Sequence, residues 1–522
     1  MSRVDNPVLP GCHPDPSICR VGEHFYLATS SFHTWPGIPL FHSRDLAHWR
    51  PIGHVFTRPS QLDLSGCPSG LGLFAPTLRH HGGRFHLVTT VVHQRRNVHL
   101  WAERAEGPWS DPVTLDWPGI DPSLCFLADG RVLITGNGGF HGDEPKGIYQ
   151  AQIDLDSGRL LSPRRLIWAG SGAKAPEGPH LYAVGQAWLL LIAEGGTEAG
   201  HMVTVARSDH PFGPFEPCPH NPVLSHRSLD HALQCTGHAD LVQGSDGRWW
   251  AVLLATRPAP VPFAPQRHHL GRETCVLPLQ WDAKGWPQLG LAGTGWGRVP
   301  LQLPAEALPP LQPWPQPALA ASGMATAEAP DRLSADWSVL RTPLQPLWSL
   351  SQRPGWLLLY GQSATLDDEA ATPAFVGRWQ TQFDCVFSAR LQFQPQADGE
   401  EAGLVVYANE RFHHQILLRR QATGCRLLLR RRLGSLWRED DLGPAPEGDL
   451  ALRIVADARE HRYLAGPAGG PLQPLGTTEC AMLSAEVAGG FTGVMLGLYA
   501  SGRGRPASVP AAFTEVRLDL QP

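Results

Sequence analysis

One unit recurs five times in the first half of this chain, and no other feature restricts its fold as much. Each unit opens with a short polar element beside Pro or Gly, runs on as a β-like stretch, turns at glycine and returns as an aromatic-rich strand. The openings are Asp15-Pro16-Ser17-Ile18, Ala75-Pro76-Thr77-Leu78, Asp121-Pro122-Ser123-Leu124, Glu177-Gly178-Pro179-His180 and His238-Ala239-Asp240-Leu241. The returning strands carry Phe25-Tyr26-Leu27, Phe85-His86-Leu87, Val132-Leu133-Ile134, Trp188-Leu189-Leu190 and Trp249-Trp250-Ala251. Between them lie Gly22, Gly82-Gly83, Asp129-Gly130, Gly185 and Asp246-Gly247, which are hairpin signals. The units start 60, 46, 56 and 61 residues apart, enough for a four-stranded sheet with its loops. The expected fold is all-β and begins with a five-bladed β-propeller. A generic β-sandwich also alternates strands and turns, but it does not explain why each unit opens alike.

In a propeller the innermost strand of each blade lines a central channel. The openings then place Asp15, Ala75, Asp121, Glu177 and His238 around one axis. Three are carboxylates and one is an imidazole. A packed core does not choose such residues, because unpaired buried charges are costly.

At 522 residues the chain exceeds what a single core usually holds. Between 297 and 330 the composition shifts to Pro300, Pro304, Pro309, Pro310, Pro313, Pro315, Pro317 and Pro330 without a strand pattern, which reads as an extended linker or strap. Strands are then expected at 356–360, 385–393, 403–408, 414–420, 425–430, 450–455 and 494–500. Alternation within 415–420 and 427–432 predicts half-solvated antiparallel strands. The expected domains are a propeller over 1–296, a Pro-rich linker over 297–330 and a β-sandwich over 331–522.

Composition narrows the function. Hydrophobic residues make up 42% and charged residues 17%, which excludes a disordered chain. A net charge of −5 argues against nucleic acid or an anionic membrane held by bulk charge. The ten cysteines are scattered with no Cys-x-x-Cys, so neither a disulfide framework nor a zinc ribbon is expected. The N-terminal residues lack the apolar core of a signal peptide, and runs such as 188–193 are too short to span a bilayer. The expectation is a soluble cytoplasmic protein with reduced thiols.

Asp15 sits between two prolines in His13-Pro14-Asp15-Pro16-Ser17. Proline fixes its own φ and restricts its predecessor, so this carboxylate is held rigidly. Asp-Pro is also a common turn dipeptide, but Ile120-Asp121-Pro122 repeats the pattern in another unit. Glu177 is flanked by Pro176, Gly178 and Pro179. If it shares a pocket with two other carboxylates, their charge raises its pKa and keeps on it the proton that a general acid needs. Glu194 and Asp240 lie near these motifs but read more simply as structural groups, and Asp129 belongs to a turn. His80-His81 and His268-His269 lack transition-metal spacing.

The motifs Asn6-Pro-Val-Leu-Pro-Gly-Cys-His-Pro-Asp-Pro-Ser-Ile, Ala28-Thr-Ser-Ser-Phe, Leu73-Phe-Ala-Pro-Thr, Ile120-Asp-Pro-Ser-Leu, Pro176-Glu-Gly-Pro-His-Leu-Tyr, Ala193-Glu-Gly-Gly-Thr, Thr236-Gly-His-Ala-Asp and Gly271-Arg-Glu-Thr, in that order, resemble glycoside hydrolase family 43. The likeness is to its β-xylosidase and α-L-arabinofuranosidase branch. It extends to that branch's C-terminal sandwich through Glu400-Glu-Ala-Gly-Leu-Val-Val-Tyr and Gly490-Phe-Thr-Gly. The resemblance implies an inverting exo-glycosidase with Asp15 as general base, Glu177 as general acid and Asp121 as the carboxylate that tunes and orients the acid. It further implies that Arg272 contacts substrate hydroxyls and the carboxylates, and that Phe32 stacks in the terminal-sugar pocket. Phe74 stands where part of the branch carries Trp. His238 is placed on the axis, in some members near a calcium ion or a water. Residues 136–143 match poorly, and no ligand contact is assigned there. Two readings stand for Arg272, a pocket residue or an ordinary ion-pair partner, and two for His238, an ion or water ligand or a packing residue.

The implied substrate is a xylo-oligosaccharide or an arabinosyl oligosaccharide, cleaved with no required cofactor; a structural calcium ion on the axis and a homo-oligomer are both compatible with the family. Two carboxyls acting through a water lie roughly 6.5–9.5 Å apart in inverting enzymes, against about 5–5.5 Å in retaining ones. One rival is an inactive carbohydrate-binding propeller. The other is a retaining enzyme of the invertase kind, whose Asn-Asp-Pro and Arg-Asp-Pro openings are absent here. In the second half, Gly489-Gly490-Phe491-Thr492-Gly493 sets one large ring between glycines, as a pocket-lid anchor at the rim requires; the competing reading makes Phe491 a sandwich core residue.

Overall fold

Each recurrent opening leads into the first strand of a four-stranded antiparallel sheet in the computed structural model, which describes residues 3–138, 144–262, 266–290, 302–304, 324–326 and 329–521. These first strands are Ser17–Val21, Thr77–His81, Ser123–Phe126, Glu177–Val184 and Gln234–Gln243. Each pairs with the strand that follows it: His24–Ala28, Arg84–Val91, Val132–Asn137, Ala187–Glu194 and Trp249–Thr256; four of the five carry aromatic residues, and Val132–Asn137 carries none. The first strands touch one another in sequence order, and the last meets the first, so the five sheets surround one axis. The second strands are buried along most of their length and interleave between neighbouring sheets, with Leu27, Leu87, Ile134, Leu190 and Val252 fully enclosed.

A polar network joins the five first strands across the axis. The Asp240 carboxylate accepts from Ser17 Oγ at 2.7 Å, from Arg79 Nη1 at 2.8 Å and from the Tyr182 hydroxyl. Arg79 also donates to His180 Nδ1 at 2.9 Å, and Ser123 Oγ meets the same nitrogen at 3.0 Å. Burial alone would drive a proton onto Asp240, but the Arg79 guanidinium and these bonds hold its carboxyl well below the usual carboxylate range. Asp240 is therefore a structural tie, and its partner Arg79 has no counterpart among the motif residues.

The second half holds two antiparallel sheets packed face to face. One has seven strands, including Cys385–Gln392, Leu450–Ala456 and Ala511–Leu520; the other has six, including Ala374–Trp379, Glu401–Asn409, Phe412–Gln421, Gly424–Leu433 and Met495–Ser501. Cys385–Gln392 alternates buried and half-buried residues, as one covered face requires. The expectation of half-solvated strands at 415–420 and 427–432 holds only at Arg420, Arg431 and Arg432, which are half-buried; 415–419 and 427–430 are buried. Gln415, Arg419 and Arg430 are buried. Their polar groups face an enclosed ion-pair network: Arg419 and Arg430 both donate to Glu401 and Glu439, and Arg430 also donates to Gln415. Alternation in sequence here separates an apolar face from a buried charged face, not from water.

The halves are clamped together. Val339–Leu340 pairs with Thr34–Trp35, and Arg341 donates to the Cys67 carbonyl at 2.7 Å and to the Glu410 carboxylate. Arg257 joins Glu273 to the Thr381 carbonyl. Of the Pro-rich stretch 297–330, most lies outside the described residues; Gln302–Pro304 pairs with Arg3–Asp5 as a short strand, which the proline content had hidden. All ten cysteines are free thiols. Among the described residues no helix is long and apolar enough to cross a membrane.

Candidate active site

Three of the residues that open the repeats, Asp15, Asp121 and His238, have φ of +54°, +53° and +48°. Side-chain-bearing residues avoid this left-handed region at a cost on the order of 1 kcal/mol each. At Asp15 and Asp121 the turn bends the backbone just ahead of the first strand, whereas His238 lies within the strand Gln234–Gln243, where the pairing register shifts between Gly237 and Asp240; both devices send these side chains toward the axis. Glu177 reaches the same place from the first residue of its strand, and there the left-handed turn falls on Gly178, at +56°. A Cβ at Gly178 would stand 2.8 Å from His238 Nε2, so the position has room for glycine alone.

Asp15 is buried and fully engaged. Its Oδ2 accepts from Ser30 Oγ at 2.6 Å, its Oδ1 accepts from Arg272 Nη1 at 3.0 Å, and His238 Nδ1 lies 3.7 Å from the same oxygen. Burial favours the neutral acid, yet Arg272, His238 and the Ser30 bond together hold the Asp15 pKa below its ordinary value. Asp121 is also buried, and its Oδ2 accepts the Gly178 backbone N–H at 3.1 Å. Burial and the neighbouring Glu177 and Asp15 push the Asp121 pKa well up. Burial and the Asp15 charge raise Glu177 to about 7. The site thus holds one carboxylate that stays ionised, Asp15, and two carboxyls, Asp121 and Glu177, pushed toward the protonated form, with Glu177 poised near neutrality. The pairing of Asp15 with Glu177 can take a proton from water on one side and deliver one on the other.

Arg272 links this carboxylate to an aromatic enclosure. Nη1 donates to Asp15 and also to Thr197 Oγ1 at 3.0 Å. The guanidinium carbon lies 5.7 Å from the Phe32 ring centre and 5.6 Å from that of Phe491. Phe74 stands edge-on to both rings, at 5.7 Å from Phe32 and 5.8 Å from Phe491. Three apolar ring faces around a carboxylate and a guanidinium suit a small hydroxylated ring with a hydrophobic face. Phe491 is 38% exposed, which makes it a rim residue and not part of the sandwich core.

Asp15, Asp121, Glu177, His238, Arg272, Phe32, Phe74 and Phe491 all converge here. Arg272 is more than a single ion-pair partner, since it bridges carboxylate, hydroxyl and ring faces. Calcium takes six to eight oxygen donors. His238 offers ring nitrogens, one facing Asp15 and the other Gly178, and no cluster of three His, Cys, Asp or Glu among the described residues is arranged around an ion. These side chains alone do not make a calcium cage. Glu194 is buried and accepts the Ser171 N–H at 3.0 Å and Thr204 Oγ1 at 2.6 Å, which pins the loop ahead of Glu177.

Three supporting residues escaped the reading of the sequence. Ser30 and Thr197 lie inside quoted motifs, yet only their hydrogen bonds give them a role. Asn137 lies in the poorly matching stretch 136–143, of which 139–143 are outside the described residues. Its backbone N–H donates to the Ile120 carbonyl at 3.1 Å and its Nδ2 to the Pro176 carbonyl at 2.9 Å, bracing the backbone just before Asp121 and Glu177.

The model for glycosyl hydrolases family 43 matches residues 4–287, and that for the β-xylosidase C-terminal concanavalin A-like domain matches residues 329–519. The chain is 38% identical over 517 residues to a non-reducing end α-L-arabinofuranosidase of Bacteroides ovatus, covering 97% of this chain and 93% of that one. It is 34% identical to a xylosidase/arabinosidase of Butyrivibrio fibrisolvens, covering 96% of each. The crystal structure of a xylan β-1,4-xylosidase from Bacillus halodurans superposes with a TM-score of 0.89 at 32% identity, over 99% of this chain and 100% of that one.

Proposed function

Since this chain belongs to the glycosyl hydrolases of family 43, we propose that it is an inverting exo-glycosidase that releases terminal β-1,4-linked xylose from short xylo-oligosaccharides. The five sheets are read as the five blades of a propeller spanning 1–296, joined through 297–330 to a sandwich over 331–522. Asp15 is the general base and deprotonates a water on one face of the terminal sugar. Glu177 is the general acid and protonates the leaving oxygen on the other face. Asp121 orients that acid through the Gly178 N–H. The observation that carries this reading is the contrast between the two groups: Arg272 and Ser30 hold Asp15 ionised, while burial and Asp15 itself hold a proton on Glu177.

Phe32, Phe74 and Phe491 form the walls that receive the sugar ring, and Arg272 and His238 face its hydroxyls. A pocket closed on three sides by rings accepts a chain end and excludes an internal residue, which favours trimming over internal cleavage. A second reading, release of terminal α-L-arabinofuranose, is favoured by the likeness to the Bacteroides ovatus enzyme. Kinetic comparison of 4-nitrophenyl β-D-xylopyranoside with the α-L-arabinofuranoside decides between them. Proton NMR of the first-formed anomer tests inversion; a product that retains its configuration overturns the assignment of Asp15 as base. Binding of pentosides without turnover would return the protein to a carbohydrate-binding role.

A further inference from the structure

Phe491 reaches the pocket from the second half of the chain, where its ring meets Phe32, Phe74 and the Arg272 guanidinium while its backbone is loosely held. Gly489 and Gly490 precede it with φ of +73° and +85°, so the backbone on that side has the freedom of two glycines. Arg272 Nε and Nη2 donate to the Phe491 carbonyl only at 3.4 Å, at the weak end of hydrogen bonding. The ring is more than a third exposed, so packing holds it on one side alone.

The anchors lie further out. Glu486, on the short helix Ala485–Ala488, accepts the backbone N–H of His268 at 3.1 Å and approaches His268 Nδ1 at 2.7 Å. Ala485 N–H donates to the His268 carbonyl at 3.3 Å, and Val494 N–H donates to the His269 carbonyl at 2.9 Å. At Gly493 a Cβ would fall 2.4 Å from the Leu270 carbonyl oxygen, so the loop backbone runs against the segment that leads into Arg272. Both ends of 485–494 are therefore stitched to 268–269, and Phe491 lies between the stitches. Glu486 supplies the side-chain part of this clasp, and it does so with a charged acceptor on two donors, the stronger class of hydrogen bond.

We infer that Glu486 is a positioning residue for the sugar pocket: by clasping His268 it sets where Phe491 stands over Arg272, and through Phe491 it sets affinity for the terminal pentose. This rests on the reading of Phe491 as a pocket wall. Glu486 never touches the sugar and takes no part in proton transfer. Its side chain is 37% exposed, so its removal opens no core cavity.

The test compares Glu486→Ala and Glu486→Gln in the full chain, each with and without Phe491→Ala, on the better of the two 4-nitrophenyl pentosides. Glu486→Ala is expected to raise KM about three- to ten-fold with kcat changed less than about two-fold. Glu486→Gln keeps an acceptor for the His268 N–H and recovers part of the loss. With Phe491 already removed, Glu486→Ala adds no further rise, because the two effects run through one ring. An equal rise in the Phe491→Ala background overturns the inference, as does an unchanged KM in the otherwise native chain. A direct readout separates the clasp from the pocket reading: 4-fluorophenylalanine placed at 491 should shift or broaden its fluorine resonance on Glu486→Ala. A resonance that does not move overturns the clasp whatever KM does, whereas a moved resonance with KM insensitive to Phe491→Ala removes only the pocket-wall reading.

Discussion

The rings of Phe32 and Phe491 face each other 6.3 Å apart at an interplanar angle of 16°. One comes from the connection between His24–Ala28 and Gly37–Ser43 of the first sheet and the other from a loop of the C-terminal half, so the two rings meet only when the halves are docked. Phe32 is buried while Phe491 is 38% exposed, so Phe491 adds a ring to the rim and little to core packing. Phe491→Ala should therefore raise KM for the terminal sugar about ten-fold, the loss expected of one aromatic wall. Its Tm should change little. A marked fall in Tm with KM unchanged would assign the ring to the core.

Removal of Glu177 should separate substrates by leaving group. Protonation matters most when the departing oxygen is a poor leaving group, so Glu177→Ala should lose about 10²–10⁴-fold on xylobiose and far less on an activated aryl xyloside. Equal losses on both would sink the acid assignment. Asp15→Ala should be inactive on both, because no leaving group substitutes for water activation; appreciable turnover on the activated substrate speaks against Asp15 as base.

The pH profile follows from the two directions of shift. Asp15 must be ionised, and its pKa is held below the ordinary carboxylate value, so activity falls on the acid side only below about pH 4. Glu177 must be protonated, and its pKa is raised to about 7, so kcat/KM falls as pH rises through neutrality. A profile flat to pH 9 contradicts this assignment. Measurement of kcat/KM from pH 3 to 9 checks both limbs.

The Asp240–Arg79 tie should be worth more to the fold than to the reaction. Replacing one member of a buried pair strands the other, at about 3–5 kcal/mol. Asp240→Asn should thus lower Tm by several degrees. Because the Asp240 pKa is depressed on folding, its contribution is complete above the unfolded carboxylate pKa of about 3.9 and is lost as pH falls through the folded value. The unsubstituted protein should lose Tm on acidification below about pH 4, and Asp240→Asn should lack that part of the slope. Parallel acid dependence in the two proteins would assign the tie no such role.

Local sequence determined the strands and where each sheet begins. Asp15, Asp121, Glu177 and His238 were legible because Pro and Gly beside a polar residue restrict the backbone over a few residues, and because that restriction recurs at sheet-sized intervals. Their convergence with Arg272 and Phe491 was expected from ordered motifs shared with known hydrolases, and could not have come from spacing alone. Tertiary structure decided the rest. Alternation at 415–420 predicted a wet face, yet Arg419 and Arg430 turn inward onto Glu401 and Glu439. Hydropathy reports how a residue prefers water to oil and is silent on whether a buried partner of opposite charge awaits it. Arg79, Asn137 and Glu486 went unseen for the same reason: each acts through a partner brought close only by packing of neighbouring sheets or docking of the second half, whereas Ser30 meets Asp15 at the open end of the first hairpin. Side-chain hydrogen bonds across such distances in sequence carry no periodicity, so only the folded chain displays them.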